Sequence, residues 1–248
     1  MGRRAVAALA LAALTACTGP LGRQYEYEEE IYLGVNGSAT VIVNASIAAL
    51  VALRGLDLDP SPAVRIDRAR IRTEFSSSVA TVTTVSRPWR RHGRPFVQVR
   101  LTTPDITRLA AAAPFAWASY RLTRTAPPGP ALIEYRQALR DSAQAPVPGV
   151  TWTGNELVAV RLHLPSRIQF HNAPSKTVDR GNILSWEQPL TDRLAGKPLD
   201  IEVRIESETI LVRTLAIFGL AVAGALAALA AVVWRVRARG VRRLQARA

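Results

Sequence analysis

The chain of 248 residues has one cysteine, Cys17, two lysines, Lys176 and Lys197, and no acidic residue before Glu26 or after Glu208. A single cysteine excludes a disulfide framework within the chain. Any folded region outside the cytoplasm must then rest on its apolar core. The missing acids concentrate the net charge of +13 at the two ends. Arg3 and Arg4 precede one apolar run, and Arg213, Arg235, Arg237, Arg239, Arg242, Arg243 and Arg247 flank or follow another. Without these nine arginines the middle carries only +4. The basic excess belongs to membrane flanks and not to a nucleic-acid-binding face. The histidines, His92, His163 and His171, lack the spacing of a zinc site, so no metal is expected. There is no Gly-x-Ser-x-Gly elbow, no His-Glu-x-x-His, no phosphate-cradling glycine loop and no dinucleotide fingerprint. No catalytic residue or cofactor is nominated, and the chain reads as a non-enzyme.

What is present begins with a span. Thr214 to Trp234 is 21 residues without a charge, roughly 31 Å as a helix, the thickness of a bilayer's hydrocarbon core. Six arginines and no acid follow it. The positive-inside bias therefore puts the tail, 236–248, in the cytoplasm and the bulk of the chain outside. The transmembrane segment with its flanks is 209–235. Gly219, Ala223, Ala227 and Ala231 recur every fourth residue, a ladder that would let two copies of the helix pair as a homodimer.

Residues 1–17 have the layout of a secretory signal: charged Arg3 and Arg4, then an apolar Ala5–Leu14 too short to span. Leu14-Thr15-Ala16-Cys17 resembles the lipobox of bacterial lipoproteins. The resemblance implies that Cys17 is lipidated and becomes the new N-terminus, held by two acyl chains. The sorting rule of that family reads the non-acidic Thr18 as an outer-membrane address. The span overrules it, so the expected location is the cytoplasmic membrane, single-pass. With both ends tethered, the region between them is expected close to the bilayer surface.

The expected fold class is α+β. Residues 18–141 form one α+β part and 142–208 a strand-rich, membrane-proximal part, with a Pro- and Ala-rich linker at Ser142–Gly149. Tyr25–Leu33 and Ser38–Ser46 alternate around Asn36-Gly37, which predicts a hairpin with a tight primed turn. Ile47–Arg54 predicts a short helix stopped by Gly55. Ser61-Pro62 and Thr103-Pro104-Asp105 each predict a helix start, a hydroxyl cap before proline. Strands are expected at Val79–Ser86, Pro95–Thr102, Trp117–Thr125 and Ala131–Ala138. From residue 38 the order matches a ferredoxin-like βαββαβ unit. Further strands are expected at Glu156–Leu164, Ile183–Glu187 and Leu199–Glu206, the last alternating and running almost directly into the span.

Two charged clusters stand out. Glu26, Glu28, Glu29 and Glu30 are too straight a row for one calcium ion and are read as a solvated edge face that blunts strand pairing. Arg87, Trp89, Arg90, Arg91 and Arg94 crowd a loop with Pro88 and His92. Their planar forks and the indole suit an anionic ligand such as lipid head groups or an envelope polymer. His171-Asn172 is read as a turn before Pro174.

The run Arg167-Ile168-Gln169-Phe170-His171-Asn172-Ala173, followed by Arg180-Gly181-Asn182-Ile183-Leu184-Ser185-Trp186-Glu187-Gln188-Pro189-Leu190, resembles uncharacterised bacterial lipoprotein-type envelope proteins with one C-terminal transmembrane helix. The Gly-Asn-x-Leu-x-Trp piece is similar to mycobacterial LppM-type lipoprotein domains. The resemblance implies a fold and a location but no reaction. The expected function is a non-enzymatic envelope protein that binds or organises an envelope protein or lipid at the outer face of the membrane. A lipid- or glycolipid-binding module and an unrecognised hydrolase are the alternatives.

Overall fold

The computed structural model describes residues 22–125, 131–140 and 147–245. The signal-type segment with Cys17 and residues 142–146 of the expected linker lie outside the described residues. In chain order the elements are β1 (Gln24–Leu33), β2 (Ala39–Ser46), α1 (Ile47–Arg54), α2 (Arg68–Phe75), β3 (Thr81–Val85), β4 (Trp89–Arg91) and β5 (Arg94–Thr103). Two 3₁₀ turns, Ile106–Ala111 and Ala113–Phe115, lead to β6 (Ala118–Arg124) and β7 (Leu132–Leu139). After them come β8 (Glu156–His163), β9 (Ser166–His171), β10 (Ile183–Pro189), α3 (Leu190–Leu194), β11 (Leu199–Thr209) and α4 (Ile210–Gln245).

The class is α+β, as the sequence implies. One sheet has the order β10-β8-β1-β2-β5-β3, with β4 also paired to β5; the other is β6-β7-β11-β9. Within the first sheet, β2, β5 and β3 lie as the first, third and second strands of a ferredoxin-like unit do. The departure is at the last strand. β6 joins the second sheet, and β1 takes the place beside β2. The strand-rich segment after residue 141 is interleaved with the earlier one. β8 pairs parallel to β1, and β11 pairs antiparallel to β7. One core joins both sheets, from Val41, Val99 and Phe115 to Tyr135, Trp186 and Val203.

Local signals explain the helices and correct two expectations. α1 is capped by Ser46 Oγ, which accepts from Ala49 N at 3.0 Å, and is stopped by Gly55 at φ +63°, a backbone region that suits glycine. α2 begins at Arg68, not at Ser61-Pro62, because Asp67 Oδ1 accepts from Ala69 N at 2.8 Å and Arg70 N at 3.3 Å. Ile71 and Phe75, four apart, are its buried face. Asp105, not Thr103, caps the turn at Ile106.

The turn between β1 and β2 is also longer than expected. Leu33 faces Ala39 across five residues, Gly34 N donates to Ser38 O at 2.7 Å, and Asn36 Oδ1 accepts from Ser38 N at 3.1 Å. Gly37 alone has positive φ there, at +93°. The two-residue primed turn falls instead at His92-Gly93, with φ of +50° and +75°, between the paired Arg91 and Arg94. That geometry matches the right-handed twist of the flanking strands.

The acidic run is not an edge. β1 is paired on both sides, by β2 and β8, and Glu26 and Glu29 are fully buried. Likewise, Arg167–His171 belongs to a strand, β9, that the sequence pattern did not predict. Asn172 bonds far from its own turn. Its Oδ1 accepts from Trp186 Nε1 at 3.0 Å and Glu202 N at 2.9 Å, and its Nδ2 donates to Asp200 O at 2.9 Å.

β11 passes into α4 with no residue between, and Ile210 N donates to Pro165 O at 2.9 Å. Ile210–Arg235 is 26 residues of mean hydropathy 2.5 with none of it buried, long and apolar enough to cross a membrane. The basic tail continues the same helix to Gln245.

Candidate functional site

The pairings define two ends of the molecule. Ile183 and Tyr32 both face His163, Leu132 faces Glu206, and Ser166 faces Thr209 beside the start of α4. At the opposite end Gln24 faces Glu156, and the β4–β5 hairpin closes at His92-Gly93. β1 and β5 are each ten residues long, so the two ends are on the order of 30 Å apart. The Trp89 hairpin is at the end remote from α4.

The expected anion-contact residues do not act alike there. Arg94 turns inward. Its Nη1 lies 2.7 Å from Glu26 Oε1, its Nη2 3.4 Å from Glu156 Oε1 and 2.7 Å from Thr151 O, and its guanidinium covers the Trp152 ring at 4.6 Å. Burial pushes the Glu156 carboxyl up, but the Thr153 and Gly154 N–H groups, both at 2.9 Å, hold it below its usual value. Arg94 is therefore a structural cation between two buried carboxylates.

The others stay outside. Trp89 is 39% exposed and stacks on Phe96 at 5.9 Å. Arg87 and Arg90 are exposed, and Arg91 is half-buried with Nη2 on Arg23 O at 3.0 Å. Tertiary packing adds two arginines that the sequence did not single out. Arg68 donates to Val85 O through Nε at 3.1 Å and Nη2 at 2.6 Å, which draws the 64–68 segment against the hairpin. An open groove of about 590 Å³ results, lined by Arg65, Arg68, Pro88, Trp89, Arg90 and the flank of Ile66, among others. Arg65, Arg68, Arg87, Arg90 and Arg91 form no ion pair with a carboxylate among the described residues. A guanidinium carries five donors, so each retains donors for an anion.

A second cluster is buried between the sheets. Glu29 Oε2 lies 2.9 Å from Arg54 Nη2 and accepts from Tyr27 Oη at 2.8 Å, while Oε1 accepts from Gln137 Nε2 at 3.1 Å. Tyr135 Oη in turn donates to Gln137 Oε1 at 3.0 Å. Arg54 lies over the Trp117 ring at 3.4 Å, and Arg193 faces the same ring at 5.3 Å while donating to Leu139 O at 3.3 Å. Burial pushes the Glu29 carboxyl up to about 7 and the Arg54 guanidinium well down. Each charge offsets the desolvation of the other. With Glu29 and Arg54 at 0% and 2% side-chain exposure, the cluster has no opening for a substrate and serves to register one sheet on the other.

The face of the first sheet away from the core carries rows of polar residues. Near α4 one row runs Thr102, Thr40, Tyr32, His163 across adjacent strands. Tyr32 and His163 stack at 3.9 Å. Burial lowers the His163 pKa more than nearby Glu30 raises it. No group of three or more metal-ligating side chains occurs among the described residues.

No family model matches the sequence, and comparison with curated proteins gives no match. Among solved structures, the NMR structure of the folded domain of Mycobacterium tuberculosis LppM is similar with a TM-score of 0.38 at 12% identity, covering 74% of this chain and 91% of that one. At that level of superposition the likeness assigns neither a family nor an activity.

Proposed function

We propose that this chain is a membrane-anchored protein of a bacterial envelope, single-pass in the cytoplasmic membrane, that acts by binding an anionic partner and not by catalysis. The observation that carries this reading is the edge around Trp89, where exposed Arg65, Arg68, Arg87 and Arg90 and half-buried Arg91 have no carboxylate partner among the described residues. The charged side chains that line the groove are all arginines, and a cleft lined by one sign of charge raises the local concentration of counter-charged partners. The Thr214–Trp234 span with its arginine tail supports an outside ectodomain, and the Leu-Thr-Ala-Cys segment supports a lipid on Cys17. The test is cross-linking in intact cells. Wild type is expected to give a specific adduct that is lost on Arg87→Glu with Arg90→Glu, while the protein level stays unchanged. An unaltered adduct pattern would remove this edge from the function. The intact mass of the purified chain reports separately on Cys17, and an unprocessed full-length mass would rule out the lipid anchor.

A lipid- or glycolipid-binding role has one observation of its own. A groove of about 530 Å³ at the α4 end is lined by Tyr32, Ser38, Thr40, Thr102, His163 and Pro165, among others. Pro165 also accepts the bond from the first residue of α4. The groove therefore opens beside the first residue of the apolar helix. Thr40→Val with Thr102→Val, which removes two hydroxyls from exposed or half-exposed positions, should weaken retention of a glycosyl diacylglycerol on the purified chain about tenfold, as two neutral hydrogen bonds would. Equal retention by variant and wild type would end this reading.

A further inference from the structure

The two anchors leave the folded region at opposite ends. α4 begins where β11 ends, and its first N–H donates to Pro165 O. The chain leading back to Cys17 departs from Arg23, at the other end, just before β1. β1 is ten residues long, so the two exits are on the order of 30 Å apart. Arg23 follows Cys17 by six residues, a length that reaches at most about 22 Å when fully extended. A lipid on Cys17 therefore keeps Arg23 within that reach of the leaflet, whatever the tilt of α4 against the sheets. The tether is shorter than the strand. With α4 starting at the same leaflet, β1 cannot stand upright on it, and the folded region leans over.

The arginine edge moves with Arg23. Arg91 Nη2 donates to Arg23 O at 3.0 Å, and Arg94 of the same hairpin lies between Glu26 of β1 and Glu156 of β8. Three arginines of the edge, Arg65, Arg68 and Arg90, line the open groove beside Trp89. Asp67, the acid between two of them in the sequence, is turned to the amides of Ala69 and Arg70 at 2.8 and 3.3 Å. Guanidinium forks suit phosphate oxygens. Trp89, 39% exposed, suits the boundary between water and an apolar phase.

In salt of physiological strength the screening length is about 8 Å, so charge alone does not draw the edge down from afar. The tether does, by keeping lipid head groups at high effective concentration around it. A polymer in solution has no such advantage.

Resting on the anion-binding edge and the Cys17 lipid proposed above, we infer that the edge docks on anionic head groups of the protein's own membrane. The folded region is then held at three points: α4, the lipid and the arginine edge.

The test places a fluorescent donor at Ala63→Cys, an exposed position two residues before Arg65. The full chain, purified from cells, is reconstituted in nanodiscs with an acceptor on the lipid head groups. An acylated Cys17 has no free thiol, so only residue 63 takes the label. Energy transfer should be at least about twofold higher in discs with about a third phosphatidylglycerol than in phosphatidylcholine discs. In about 1 M salt, where the screening length falls to about 3 Å, the difference should vanish. Arg65→Glu, Arg87→Glu and Arg90→Glu together should abolish it as well, with the melting temperature unchanged. Arg68 and Arg91, which hold backbone carbonyls, stay in place. Equal transfer in the two kinds of disc, or a difference that survives in the triple variant, overturns the inference. So does an intact mass without lipid on Cys17. Long-chain inorganic polyphosphate separates that failure from failure of the parent reading. If the triple variant loses polyphosphate binding while transfer ignores the lipid, the edge serves a soluble polyanion and only the docking falls. Polyphosphate binding indifferent to the variant, together with equal transfer, overturns both.

Discussion

Replacing Arg54 with methionine is expected to destabilise the folded region by about 3–5 kcal/mol, because it leaves Glu29 charged and unpaired in a dry core. Arg54 is buried to 2% side-chain exposure and contacts Glu29, Tyr27 and Trp117 at once. The pH dependence of the loss identifies its origin. In the folded wild type burial pushes the Glu29 carboxyl up to about 7, against the lowering effect of hydrogen bonds from Gln137 and Tyr120, and above the unfolded value of about 4.3. A carboxyl with a raised folded pKa favours the folded state at low pH and loses that contribution as pH rises. Removing the Arg54 cation raises that carboxyl further, so the deficit of the variant should be smallest below about pH 7, where Glu29 is protonated in both proteins, and grow as pH rises above it. Urea unfolding at several pH values measures this. The companion variant Glu29→Leu with Arg54→Met should recover much of the loss, since apolar pairs of similar volume often replace buried ion pairs at little cost. A single-variant loss under 1 kcal/mol, or one indifferent to pH, would mean that the pair does not register the sheets.

The second large effect belongs to Trp186, which is 1% exposed in β10 and packs in the shared core. Trp186→Ala should cost about 3–5 kcal/mol through the cavity it leaves. Its indole N–H is held by Asn172, which also bonds the backbone of β11 at Asp200 and Glu202. Asn172→Ala should cost about 1–3 kcal/mol, the penalty for an indole donor and strand amide left without a partner. Chemical unfolding of both variants compares the two. If Asn172→Ala were neutral, water would be satisfying the indole in its place, and the side chain would not tie β10 to β11.

Both residues were visible in the sequence, as part of Gly181-Asn182-x-Leu184-x-Trp186 and of the run ending at Asn172, but their contact was not. Asn172 was read as a local turn because asparagine before proline commonly bonds its own backbone. Its partners are 14, 28 and 30 residues away, and a pattern read over a short window cannot contain them. The same limit governed the acidic run. Four carboxylates in nine residues look solvated. Glu26 and Glu29 are buried, and Glu28 and Glu30 half-buried, because β8, more than 120 residues later, pairs beside them and brings Arg161 against Glu28, while α1 and β5 supply Arg54 and Arg94.

The arginine edge was half legible. Arg87, Trp89, Arg90 and Arg91 are contiguous enough to be noticed. Arg65 and Arg68 joined them only through the bond from Arg68 to Val85 O, and Arg94 left the group when it met two buried carboxylates.

The sequence by itself determined the features that depend on near neighbours: the long uncharged helix, the α1 segment with its glycine stop, most strand positions and the α+β class. Hydrophobic period, caps and charge-free length act within a few residues, so they survive without a fold. Only the tertiary structure decided which strands share a sheet, which charges are buried in pairs, and which residues gather at the end remote from the start of α4. Those depend on pairings across a hundred residues and more. There the hydrophobic gain of closing one core from both halves of the chain outweighs the desolvation of the few charges caught inside it.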